Sequence, residues 1–147
     1  GYRAVPSAGA LYPLECYLVA GPEAATGSGV FKYVSAEHEL LVINEGVDAR
    51  GALAEAALGQ AWMSRAQVMV VICAVFSRVT AKYGQRGVGY GLVEAGCAAQ
   101  NLALQAAALG LGSTVVGAFN DAMVQAILDA PDAEQPLLLV PVGRPRT

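Results

Sequence analysis

Short apolar runs alternate with polar or glycine-rich turns along the chain, and the spacing within each run predicts its element. Residues 13–21 read as an apolar strand that ends at Gly21-Pro22, after which Thr26-Gly27-Ser28-Gly29 turns the chain into Val30-Phe31-Lys32-Tyr33-Val34. A brief polar turn separates that run from Glu39-Leu40-Leu41-Val42-Ile43, so the two pair as a β-hairpin. Asp48 stands where an N-cap would be, ahead of Leu53, Ala56, Ala57 and Leu58, and predicts a helix over 49–58 that stops at Gly59-Gln60. After a short segment with Trp62 and Arg65, the run from Val68 through Phe76 has no polar alternation, which marks a central strand covered on both faces.

The second half is dominated by one long helix. It is predicted over 88–109, follows a loop over 82–89, and is stopped by Gly110 and Gly112. Ala95, Gly96, Ala99 and Ala103 give it small positions where another helix can approach closely, and a helix apolar nearly all round belongs in a large core or a subunit interface. Residues 91–112 approach membrane length, but Glu94, Gln100, Asn101 and Gln105 interrupt them and no second span is available, so no membrane is expected. Residues 113–118 read as a strand or loop. Asn120 then caps a short helix with Met123, Val124, Ile127 and Leu128 on its buried side, and Pro136 precedes a last strand over 137–142. Strands and helices are interspersed without an internal repeat, which gives an α+β architecture in a single domain over 1–147.

Composition narrows the function. A chain of 147 residues that is 55% hydrophobic and 14% charged has material for a sizeable core. Its net charge is −3 and its nine basic residues are scattered, so no nucleic-acid partner is expected. Cys16, Cys73 and Cys97 lie in apolar segments without CxxC spacing and read as small buried hydrophobes, as suits a reducing cytoplasm. The one histidine, His38, sits in a polar turn without companion ligands, so no metal site is expected. Gly1-Tyr2-Arg3 leads into a loop rather than an apolar signal segment, which fits the same cytoplasmic location. A Ser-His-Asp set, a P-loop and a GxGxxG fingerprint are all lacking, which removes support for hydrolase, kinase and Rossmann readings.

The candidate chemistry begins in the loop from Arg3 to Glu15. Pro6 and Pro13 restrict the backbone on either side, Ala8, Gly9 and Ala10 keep side chains out of the way, and Ser7 adds a hydroxyl, so this loop can press backbone amides against a flat ligand. By composition it reads equally well as an ordinary turn leading into a strand. Its spelling closely resembles the VPSAGALYPLE signature of the SagB-type dehydrogenases, a branch of the nitroreductase-like flavoproteins that oxidises thiazolines and oxazolines in ribosomally made peptides. Further likenesses follow in order: Ala81-Lys82-Tyr83-Gly84-Gln85-Arg86-Gly87, Glu94-Ala95-Gly96 with Ala99-Gln100-Asn101-Leu102, Leu109-Gly110-Leu111-Gly112 with Val116-Gly117-Ala118-Phe119, and Pro141-Val142-Gly143-Arg144-Pro145.

The resemblance implies a nitroreductase-like fold: a central, mostly antiparallel sheet packed by helices, a long buried central helix, and an intertwined homodimer whose subunits share two FMN slots. It implies that Pro6, Ser7, Ala8, Gly9 and Leu11 contact the flavin, that Val116, Gly117 and Ala118 form the second wall, and that Gln60 or Gln100 reaches the pyrimidine edge or the subunit interface. Either glutamine reads equally as a satisfied core amide. Among Arg3, Arg144 and Arg146, Arg144 is the first choice for the phosphate, because a guanidinium presents paired donors to it. Lys82 and Tyr83 resemble the pair implicated in taking a proton from the heterocycle while hydride leaves for the flavin. Neighbours on a helix or strand diverge, so the pair is expected on an irregular segment, for which Gly84, Gly87 and Gly89 provide. A lysine buried beside a cationic group such as Arg86 could then act as a base. The family's usual upstream helical segment, with its phosphate contacts, is missing ahead of Gly1. The resulting expectation is an FMN-dependent oxidoreductase acting on azoline rings of a peptide or small molecule. The alternatives are a nicotinamide-dependent nitro or quinone reductase and a non-catalytic flavin-binding or docking subunit of a synthetase complex.

Overall fold

The structure, a computed structural model, describes residues 3–145. Six strands form one antiparallel sheet in the order β3-β2-β1-β4-β6-β5. The strands are β1 (Leu14–Ala20), β2 (Gly29–Val34), β3 (Glu39–Glu45), β4 (Val68–Ala74), β5 (Gly112–Ser113) and β6 (Gln135–Gly143). Four α-helices accompany them: α1 (Arg50–Ala56), α2 (Ser77–Tyr83), α3 (Arg86–Ala108) and α4 (Asp121–Leu128). This is the expected nitroreductase-like α+β arrangement.

The continuous apolar run of β4 is explained by its two covered faces. Val71 and Cys73 pack with Tyr17, Val19 and Leu139 against Leu53 of α1 and Val124 and Leu128 of α4. The alternate residues Val70 and Ile72 pack with Val140 and Val142 against Ala95, Ala99 and Ala106 of α3. Outward from this centre the hairpin of β2 and β3 pairs as expected, Val34 opposite Glu39, and β3 forms an edge with Leu40, Leu41 and Val42 exposed. His38 lies exposed in the hairpin turn at φ 56°, with its Nδ1 2.8 Å from the Tyr33 hydroxyl.

Local differences from the sequence reading have physical causes. The helix expected over 49–58 is shortened to α1: Leu58, left-handed at φ 61°, ends it early, and Ala49 is the N-cap, one residue after Asp48, whose carboxylate accepts from the Arg50 guanidinium at 2.7 and 2.8 Å and from the Arg50 N–H at 3.2 Å. That pairing lowers the Asp48 pKa below the usual carboxylate range. Gly21 gives the buried Arg50 room, since a Cβ there would lie 2.0 Å from the guanidinium carbon. In α4, Val124 and Leu128 are buried and Ile127 is half-buried, but Met123 faces outward. Residues 113–118 leave the sheet after β5 and touch it again through paired backbone bonds between Val116 and Leu139.

The loop expected over 82–89 is replaced by two helices. Lys82 and Tyr83 close α2, and only Gly84, at φ 57°, and Gln85 separate it from α3. Gly87 serves close contact rather than flexibility: a Cβ there would lie 2.8 Å from the backbone of Val79. Small size at that position lets α3 abut α2. Helix α3 buries one stripe against the sheet, while Leu92, Val93 and Leu104 on the helix and Leu109 just after it are exposed in the single chain. No described helix is long and apolar enough to cross a membrane.

Candidate active site

The loop ahead of β1 is the most contorted part of the described backbone. Gly9 (φ 61°), Ala10 (φ 54°) and Tyr12 (φ 46°) all adopt left-handed conformations, which side-chain-bearing residues rarely hold unless their surroundings impose them. Ser7 supplies part of that restraint, its carbonyl accepting the Ala10 N–H at 3.0 Å and its hydroxyl oxygen accepting the Tyr12 N–H at 2.9 Å. Arg78 of α2 supplies more, donating to the Tyr12 carbonyl at 3.0 Å and to the Glu15 carboxylate at 2.6 Å.

Lys82 and Tyr83 meet this loop at Gly9. A Cβ on Gly9 would lie 2.7 Å from the Tyr83 hydroxyl oxygen and 3.1 Å from Lys82 Nζ, so both functional atoms converge on the one residue with no side chain. They do so from the last turn of a helix. Lys82 extends its flexible stem until Nζ lies 5.3 Å from the centre of the Tyr83 ring, which offsets the divergence of neighbouring helical positions. Tyr83 in turn stands edge-on to Tyr90 of α3, ring centres 5.2 Å apart. Contrary to the sequence reading, Lys82 is exposed, and Arg86 donates to the Tyr90 hydroxyl at 2.9 Å.

Of the remaining predicted residues, Arg144 lines one cavity and Leu11 and Arg3 line another, while Gln60, Gln100, Val116, Gly117 and Ala118 line neither. Arg144 lines a cavity of about 380 Å³ together with Trp62, Arg65, Ser113 and Thr114. None of these four companions stands out in the sequence; the hydroxyl pair directly after the glycines that stop α3 was the available signal. Two guanidinium groups and two hydroxyls form a donor set that suits a phosphate monoester, and the indole offers it a flat neighbour. Gln60 turns its amide nitrogen back to the Ala57 carbonyl at 3.0 Å. Val116 is buried, whereas Gly117 and Ala118 are exposed, as is Gln100 on α3. Arg146 lies outside the described residues.

A second cavity of about 1010 Å³ lies behind the opening loop, where Leu11 joins Val5, Tyr12, Cys16 and Glu94. Arg3 belongs here and not beside Arg144, its guanidinium stacked 4.1 Å from the Tyr12 ring centre and donating to the Ser35 hydroxyl at 2.8 Å. Glu94 of α3 is only 4% exposed, and its Oε2 has no hydrogen-bond partner. Burial raises its pKa above the usual carboxylate range, with the Ser7 hydroxyl and Arg3 pulling the other way. Its placement was not legible from the sequence, where it reads as a polar break in an apolar helix. Burial also pushes the Cys16 thiol up to about 11 and raises that of Cys73, so neither is poised as a thiolate. Among the described residues no three His, Cys, Asp or Glu side chains cluster as a metal site.

This sheet, its central helix and the loop-borne site belong to a class of α+β oxidoreductase. The chain is a member of the nitroreductase family, which it matches over residues 2–144. It is 43% identical over 145 residues to a protein of Methanocaldococcus jannaschii that carries a nitroreductase name, covering 98% of this chain and 71% of that one. Among solved structures it resembles a nitroreductase-named protein of Anabaena variabilis, with a TM-score of 0.84 and 27% identity over 98% of this chain and 29% of the other. It also resembles a chain of the E. coli McbBCD microcin synthetase complex, solved with truncated pro-MccB17 bound, with a TM-score of 0.83 and 25% identity over 99% of this chain and 57% of the other. The chain thus spans less than two thirds of either structural relative.

Proposed function

We propose that this chain is an FMN-dependent dehydrogenase of azoline rings carried on a peptide or small molecule. The observation that carries the reading is the convergence of Lys82 Nζ and Tyr83 Oη on Gly9. Pro6, Ser7, Ala8, Gly9 and Leu11 offer one wall for a flat ring, and Val116, Gly117 and Ala118 the other. Arg144 and Arg65, with Ser113 and Thr114, hold the phosphate, while the Gln60 carbonyl remains to accept from the pyrimidine edge. When bound, FMN supplies the two-electron hydride acceptor that such an oxidation needs. Lys82 in its neutral amine form would receive the ring proton at Nζ, with Tyr83 Oη held beside it, and would pass that proton to solvent, which the exposure of Lys82 permits.

The loop and the Arg144 cavity line separate spaces in one chain, which supports a slot completed by a second copy through the exposed apolar side of α3. Likeness to a chain of a microcin synthetase complex supports a peptide substrate and partner subunits. The name of the Methanocaldococcus relative favours a second reading, reduction of nitro compounds with a nicotinamide donor.

The test is the visible spectrum of the purified protein, with identification of the released cofactor, followed by assay of Lys82→Ala. The expected result is a flavin spectrum that survives the substitution and thiazoline oxidation reduced by about 100-fold or more. Unchanged turnover of thiazoline and nitro substrates alike removes Lys82 as the base. A colourless protein that takes up no added FMN overturns the reading.

A further inference from the structure

The larger cavity poses a question of charge and hydrogen bonding. Its ionic side chains are mostly satisfied by one another: Glu15 pairs with Arg78 at 2.6 Å and with Lys32 at 3.3 Å, and Lys32 pairs with Glu134 at 2.5 Å. Tyr17 adds a donor to Glu134 at 2.6 Å. Much of the remaining wall is apolar or aromatic, from Val5, Leu11, Tyr12, Leu14 and Leu41, with Arg3 stacked on Tyr12 and bonded to the Ser35 hydroxyl. Glu94 Oε2 is the exception, being the one buried side-chain oxygen or nitrogen among the described residues without a partner. A buried acceptor left unpaired is costly, so an occupant with an N–H donor is what this wall lacks. At about 1010 Å³ the space also stands at the upper end of small-ligand pockets and exceeds what one five-membered ring fills.

Its position relative to Lys82 and Tyr83 selects the occupant. Arg78 and Lys82 are four residues apart on α2, neighbours on one helical face about 5–6 Å apart. Lys82 reaches the loop at Gly9 and Arg78 reaches it at Tyr12, so the loop runs beside α2 and the cavity begins about one helical turn from the reacting pair. An extended polypeptide advances about 3.3 Å per residue, so two residues carry it from a ring at Gly9 into the cavity.

We infer that this cavity is the subsite for the peptide segment flanking the reacting residue, with Glu94 Oε2 accepting a main-chain N–H and the apolar wall taking uncharged side chains. This rests on the azoline reading for the identity of the ring, and not for the binding of the peptide. The pairing of Glu15 with Lys32 and Arg78 and the stacking of Arg3 on Tyr12 leave an apolar stretch of wall suited to an uncharged segment.

The test is fluorescence anisotropy on the flavin-loaded protein with a labelled, end-blocked, uncharged hexapeptide and its fully N-methylated analogue. Saturable binding of the first, with the second at least about tenfold weaker, is the expected result. Glu94→Leu should abolish that preference. Leu41→Asp, on the exposed edge strand where folding is least at risk, should weaken the hexapeptide by about tenfold. Absence of saturable binding, equal binding of the two peptides, or no effect of either folded variant overturns the subsite. Oxidation of a free thiazoline without peptide binding sinks the subsite alone, whereas peptide binding without oxidation of any azoline sinks only the proposed reaction.

Discussion

Gly9 concentrates the requirements of the site in one residue. Its φ of 61° favours glycine, and a Cβ would meet Tyr83 Oη at 2.7 Å and Lys82 Nζ at 3.1 Å. Both atoms are the tips of movable side chains, so the fold can yield to Gly9→Ala while the reacting pair is pushed aside. The left-handed backbone adds a cost of about 1 kcal/mol, or roughly 3 °C in Tm for a domain of this size. Thiazoline turnover should fall much further, by about 10- to 100-fold, because misplacement of a reacting group by an ångström has that effect. Thermal melts and steady-state kinetics on the same preparation separate the two. A loss of rate no larger than the loss of folded protein would remove Gly9 from the site. The loop that holds Gly9 is readable in the sequence, because prolines and small residues act locally. The approach of Lys82 and Tyr83 and the burial of Glu94 are not, since both depend on how α2 and α3 pack against distant parts of the chain.

Among the elements, α4 shows how far local pattern reaches. Asn120 Oδ1 accepts the Met123 N–H at 3.0 Å, and its own N–H donates to the Ala56 carbonyl at 2.8 Å, so one residue both caps α4 and ties it to the end of α1. Replacing it by Ala removes the side-chain cap and keeps the backbone tie. Asn120→Ala should therefore cost about 1 kcal/mol, lowering Tm by roughly 2–4 °C, and Asn120→Asp should recover most of that loss. Equal melting of all three proteins would mean that the tie to α1 alone fixes the start of α4. The cap, the hairpin and the doubly covered β4 were legible because each follows from neighbours a few residues apart. The division of residues 82–89 between two helices was not, because Gly87 was read for its freedom, whereas its role is to let α3 touch Val79.

For the molecule as a whole, the open question is what covers the outer side of α3. Leu92 is 51% exposed, Val93 67% and Leu104 60%, and nothing lies within 4 Å of a Cβ built on Gly96 between them. Several large apolar side chains on one accessible helix mark a contact surface rather than ordinary surface scatter. A second copy packed there would bury both patches by the same residues, as a two-fold interface requires, and under the proposed function it would complete the flavin slot. Dimerisation and flavin retention are then one property. Val93→Glu combined with Leu104→Glu leaves the core stripe of Ala95, Ala99 and Ala106 untouched, so it should yield a folded monomer by light scattering that releases FMN at least about tenfold more readily than the parent. A double variant that stays dimeric with its flavin would place the seam elsewhere. A parent protein that is monomeric and retains FMN would show that one chain completes the slot unaided.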